Sequence, residues 1–148
     1  MNKAKARSTV QVSRHFNAAP DRVFDAWLDP ASARQWLFAT PEGRMQRVDI
    51  DARVGARFTV IERRDGQDVE HRGSFVELDR PRRLAFDFSV PQFSSELTRV
   101  SITIEAQGKA CELTLIHEGV LPDYAESTAE GWKTMLEGLA RTLGDVKG

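Results

Sequence analysis

The chain has 148 residues, 41% of them hydrophobic, enough to bury one core of its own. Lys and Arg number 21 against 22 Asp and Glu, a net charge of −1, which excludes the chain-wide positive field that holds nucleic acid or an anionic membrane. A lone Cys111 excludes an intramolecular disulfide, no apolar run approaches the roughly 20 residues that span a bilayer, and the opening MNKAKARSTV carries charge without an apolar continuation, so a cytoplasmic protein is expected.

After about seven residues expected to be flexible (1–7), TVQVSRHF (9–16) alternates Val10, Val12, Arg14 and Phe16 against polar partners, the period of a strand. Two short helices are predicted next. Pro20-Asp21 suits a first helical turn, and Asp29-Pro30 repeats the signal with Asp29 as N-cap and Pro30 at the first helical position. Strand then follows strand from residue 45 to 118: MQRVDID, ARFTVIERR, DVEHRGSFVEL, LAFDFSV, LTRVSITIEA and CELTLIHEG, separated by turn residues. Asp65-Gly66 is a type I′ hairpin signal. That turn pairs Phe58 with Gly73, Val60 with His71 and Glu62 with Val69 on an inner face, and Thr59, Ile61 and Arg63 with Arg72, Glu70 and Asp68 outside. Phe58 is expected to cover the bare backbone of Gly73. Val76 and Leu78 are out of phase with Phe75, which calls for a bulge between Gly73 and Phe75. Leu84, Phe86 and Phe88 point inward and Ala85, Asp87 and Ser89 outward; in the last hairpin Val100, Ile102 and Ile104 share a side with Leu113, Leu115 and His117.

From about 123 to 143, Ala125, Ala129, Trp132, Leu136, Leu139, Ala140 and Leu143 form the apolar stripe of one long helix, with Gly144 as its stop. At 1.5 Å per residue such a helix reaches roughly 30 Å, the length of a nine-residue strand, so it lies across the whole inner face. Gly131 costs a helix interior about 1 kcal/mol, and the expected reason is a close backbone approach beside Trp132.

The stretches NAAPDRVFDAWLDPASARQW (17–36), VGARFTV (54–60), RGSFVELDRPRRLAFDF (72–88), CELTLIHEG (111–119) and EGWKTMLEGLARTL (130–143) resemble the SRPBCC superfamily, the START and birch-pollen-allergen-like proteins. Within it they resemble the branch related to the activator of the heat-shock protein ninety ATPase. The resemblance implies an α+β helix-grip fold over residues 8–145: a curved antiparallel sheet of about seven strands wrapped on a long C-terminal helix, with two short helices after the first strand. It also implies an apolar cavity between sheet and helix. Fold of this kind does not by itself give function.

Four polar residues fall on inward parity: Arg14, Glu62, His71 and His117. Each needs a partner, a ligand or water, because an unpaired buried polar group costs on the order of 1–3 kcal/mol. In the ordinary reading the histidines bond to neighbouring strands, while Arg14 and Glu62 reach solvent at open sheet ends. The functional reading makes His71 and His117 polar anchors for an apolar ligand held among Trp36, Phe58, Phe75, Phe86, Phe88, Trp132 and Leu136. No HxH or HxxxH spacing points to a metal, no cofactor is expected, and Cys111 reads as a small buried hydrophobe. RRDGQ and DRPRR read as solvated turn charges. The leading expectation is a binding module for a small hydrophobic or aromatic molecule, monomeric or homodimeric, with neither nucleic acid nor membrane insertion. A chaperone-ATPase accessory factor is the first alternative, and a cyclase or hydrolase using a cavity histidine for proton transfer is the second.

Overall fold

A computed structural model describes residues 7–92 and 96–144. The strands are β1 (Ser8–Phe16), β2 (Arg44–Ile50), β3 (Arg57–Arg64), β4 (Gln67–Asp79), β5 (Arg83–Ser89), β6 (Thr98–Gln107) and β7 (Ala110–Val120), and the helices α1 (Pro20–Leu28), α2 (Pro30–Trp36) and α3 (Ala125–Thr142). The seven strands form one curved antiparallel sheet in the order β1-β7-β6-β5-β4-β3-β2. α1 and α2 carry the chain from one sheet edge to the other, and α3 packs on β1 and on α2. This is the helix-grip arrangement.

Local chemistry sets the joints. Asp29 accepts from the Ala31 amide at 3.1 Å, and Pro30 opens α2. Asp65 and Gly66 take φ of 50° and 79°, the left-handed values that a type I′ turn requires, and β3 pairs with β4 in the register those residues predict: Phe58 with Gly73, Val60 with His71, Glu62 with Val69. A Cβ at Gly73 would lie 2.6 Å from the Phe58 ring, so the aromatic covers the glycine. The bulge that corrects the phase falls between Phe75 and Glu77, slightly later than expected, and leaves Val76 outside the ladder. Ala85 departs from its outward assignment: it is buried, a small side chain between the longer neighbours Glu77 and Ser101. The last hairpin pairs Val100, Ile102 and Ile104 with His117, Leu115 and Leu113.

The core lies between the concave face and the helices. Trp27, Trp36, Trp132, Phe16 and Phe24 are buried in it together with Leu136 and Leu139 from the α3 stripe. Trp27 meets Trp36 edge-on at 4.6 Å and Trp132 at 6.1 Å, so the three indoles join both short helices to the long one. Cys111 is fully buried. The expected loose N-terminus lies outside the described residues except for Arg7, which pairs with Glu96. Among the described residues no helix is long and apolar enough to cross a membrane.

Two expectations about polar and small residues are corrected. Glu62 does not reach solvent at a sheet end; it is 1% exposed, whereas Arg14 stays half-buried and pairs with Glu137 through Nε at 3.0 Å and Nη2 at 3.1 Å. Gly131 makes no close approach, because a Cβ there would meet nothing within 4 Å. The tight contact of α3 is two turns further on, at Gly138, whose Cβ would lie 3.1 Å from Trp36 Cβ.

Candidate functional site

The N-terminal half of α3, the inner face of β4, β5 and β7, and the segment that follows α2 enclose a cleft of about 450 Å³. Its walls are the rings of Phe38, His71, Phe88, His117 and Trp132, the side chains of Val90 and Met135, and the open backbone of Gly131. A volume of this size suits a small organic molecule. Beyond Phe88, Val90, His117 and Thr128 the cleft continues into a smaller lobe of about 210 Å³ that reaches Leu121 and Tyr124.

Phe38 organises the cleft. After α2 ends at Trp36, the chain reverses with Phe38 at φ 56°, a left-handed conformation that costs a non-glycine residue about 1–3 kcal/mol. Its surroundings hold it there. The Phe38 amide donates to Met135 Sδ at 3.1 Å, and its carbonyl accepts from Arg64 Nη2 at 3.1 Å. The ring stacks on His71 at 4.3 Å and 8°, and lies 5.2 Å from Phe88 and 5.7 Å from Trp132.

The buried Glu62 carboxylate fastens the same segment from below. It accepts from the Thr40 amide at 2.6 Å, from Thr40 Oγ1 at 3.1 Å and from Arg64 Nε at 2.5 Å. A Cβ at Gly43 would collide with this carboxylate, so glycine there lets the loop close over it. Arg64 is therefore no solvated turn charge: it joins Glu62 to the Phe38 carbonyl and its side chain is 31% exposed at the cleft wall. The other turn arginines stay outside, and Arg80 makes a bidentate pair with Asp25 of α1 at 2.8 and 2.9 Å.

Hydrogen bonds settle opposite tautomers for the two inward histidines. The Trp132 indole N–H donates to His117 Nδ1 at 3.0 Å, so the ring proton sits on Nε2, which donates to Thr98 Oγ1 at 2.8 Å. Both nitrogens of His117 are thus occupied by protein. His71 Nδ1 lies 3.3 Å from the Val60 carbonyl and must donate to it, which leaves Nε2 as a bare acceptor. Nε2 has no partner among the described residues and, unlike the indole nitrogens of Trp27 and Trp36, is not sealed from solvent; it opens on the cleft. Burial, aided at His71 by the Arg64 charge, pushes the pKa of each histidine down to about 4. Both are neutral at pH 7.

Of the residues expected to form the site, His71, Phe88, His117 and Trp132 converge on the cleft. The others do not. Trp36 and Leu136 are core residues, and Phe58, Phe75 and Phe86 pack beneath the floor around a void of about 10 Å³, too small for a ligand. Phe38, Arg64, Thr128, Gly131 and Met135 complete the walls without having been singled out as wall residues. For Gly131 the signal was present, a glycine inside a good helix, although the structure puts open space beside it where a close approach was expected. Among the described residues no three His, Cys, Asp or Glu side chains come together as a metal site would need.

Comparison with known proteins agrees with this architecture. The chain is similar to protein CV1439 from Chromobacterium violaceum, with a TM-score of 0.85 and 24% identity over 94% of this chain and 98% of that one. It is similar to Mll3558 from Rhizobium loti, at 0.77 and 24% identity over 93% and 97%. An AHSA1-like protein from Aeromonas hydrophila superposes at 0.80 with 17% identity over 93% and 92%. A search of curated proteins finds no significant match. The sequence model described as "Activator of Hsp90 ATPase homolog 1-like protein" matches residues 17–144, and the chain belongs to that family.

Proposed function

We propose that the protein binds a small hydrophobic or aromatic molecule in the cleft between α3 and the sheet. The observation that carries this reading is the cleft itself, about 450 Å³ walled by Phe38, Phe88, Trp132 and Met135 and held open by a strained segment with its own hydrogen bonds. Gly131 supports the same reading, because it lines the cleft and a Cβ at that position would meet nothing within 4 Å.

Trp132 reports on occupancy, as its indole lies on the wall. Titration with fatty acids, flavonoids and aromatic polyketides is expected to give a saturable change in tryptophan emission. Gly131→Leu, which puts a side chain into the space, should preserve the thermal transition and weaken that binding at least about tenfold, the worth of roughly 1.4 kcal/mol. Saturable binding untouched by Gly131→Leu would move the ligand elsewhere and overturn the reading.

A further inference from the structure

We propose that the cleft selects a neutral molecule, apolar or aromatic in its body, that carries a hydroxyl or N–H donor, and that His71 Nε2 accepts that donor. The inference deepens the cleft-binding reading and rests on it.

Charge argues for neutrality. Among the described residues two charged side chains line the main cleft, Arg64 and Glu130, and two line its smaller lobe, Arg7 and Glu96; each is already paired, Arg64 with Glu62 at 2.5 Å, Glu130 with Lys133 at 3.4 Å and Arg7 with Glu96. The histidine rings add none, because burial keeps both unprotonated at pH 7. An anion entering the cleft would give up its hydration and find no uncompensated cation in return.

Hydrogen-bond accounting argues for a donor. The buried network from Trp132 through His117 to Thr98 is closed within the protein and offers nothing to a ligand. His71 differs in one respect. With Nδ1 bound to the Val60 carbonyl and its ring clamped flat against Phe38, its orientation is determined and Nε2 is left as an acceptor facing the apolar space. A ligand without a donor would strip water from Nε2 and leave it unsatisfied, whereas a phenol or an N–H replaces that water.

Calorimetric titration at pH 7.5 with 2-naphthol, 2-methoxynaphthalene and 2-naphthoate tests this on the intact protein. The three share one ring system and differ in donor and charge. Naphthol is expected to bind about 5–10-fold tighter than its methyl ether, the worth of one net hydrogen bond, and naphthoate more weakly than naphthol. In His71→Phe, which keeps a ring against Phe38, the gap between naphthol and the ether should close to within about twofold. That arm separates the acceptor from the extra bulk of the methyl group. Equal affinity for naphthol and the ether in the wild-type protein, which needs no variant to fold, overturns the donor assignment while leaving cleft binding intact. Tighter binding of naphthoate than naphthol overturns the neutral-ligand assignment. Failure of all three to bind counts against the cleft as a binding site, and this inference falls with it.

Discussion

Gly131 and Gly138 lie two turns apart on the same helix and carry opposite constraints. At Gly131 the helix borders open space, so adding a methyl group recovers helix propensity at no steric cost. At Gly138 the methyl would stand 3.1 Å from Trp36 Cβ, and Trp36 is itself wedged against Trp27, so α2 must shift to admit it. Urea denaturation is expected to show Gly131→Ala more stable than wild type by about 0.5–1 kcal/mol. Gly138→Ala should fall below Gly131→Ala by about 1 kcal/mol or more, as overpacking offsets the propensity gain. The reverse order would mean that α3 meets α2 loosely, and that the tight point of the grip is elsewhere. His71 and His117 make a similar pair. Both sit on inward positions of neighbouring parity, yet one is closed into a protein network and the other keeps a free acceptor, a difference made by Trp132 and Thr98.

The segment between α2 and β2 is the element on which the cleft depends, and Glu62 is its fastening. Replacing the carboxylate by an amide keeps an acceptor for the Thr40 amide but removes the charge that Arg64 balances. Breaking a fully buried pair costs about 3–5 kcal/mol; Arg64 retains partial access to water, which lowers the expectation for Glu62→Gln to about 1–2 kcal/mol. The loss should be local: the Thr40 amide should exchange with deuterium faster than amides of the β6–β7 ladder, and uniform acceleration would assign Glu62 to global stability instead. This element also marks where sequence reading stops. Strand periodicity and the Asp65-Gly66 turn carry enough local information to place His71 opposite Val60 and Phe58 over Gly73. Parity tells which side a residue faces and nothing about depth, so Trp36, Phe58, Phe75, Phe86 and Leu136 share the inward side of the cleft residues while lying in the packed core. Phe38 and Arg64 escape the pattern for another reason. Phe38 follows a helix end in a left-handed conformation that no propensity favours, and Arg64 reads as a turn charge until the buried Glu62 is seen beside it.

At the scale of the whole molecule, the cleft ties folding to pH. A neutral histidine on the inner face is a group whose proton the folded state refuses: His71 and His117 have pKa values of about 4, while the same side chains in the unfolded chain take up a proton near 6.5. Between those values the unfolded state binds more protons than the folded state, so stability rises with pH across the window. It is fully present above pH 6.5 and is lost as pH falls from 6.5 toward 4, by up to about 2–3 kcal/mol for each histidine. Asp25 shows the contrasting carboxylate behaviour. The Arg80 guanidinium holds its carboxyl below the usual range, so its contribution disappears only as pH falls below about 4 and does not obscure the histidine window. Urea unfolding free energies at pH 7.5 and pH 5.0 should therefore differ by about 2–4 kcal/mol in the wild-type protein. In the double variant His71→Phe, His117→Gln the difference should shrink to less than about 1 kcal/mol, whatever the variant's absolute stability. A slope that persists unchanged would trace the pH dependence to other groups and show that one or both rings admit a proton in the folded state. A bound neutral ligand in contact with His71 Nε2 would extend that window below pH 4, because it competes with the proton for that nitrogen's lone pair and lowers the folded-state pKa further. The pH profile recorded with and without ligand thus connects the stability of the grip to what it holds.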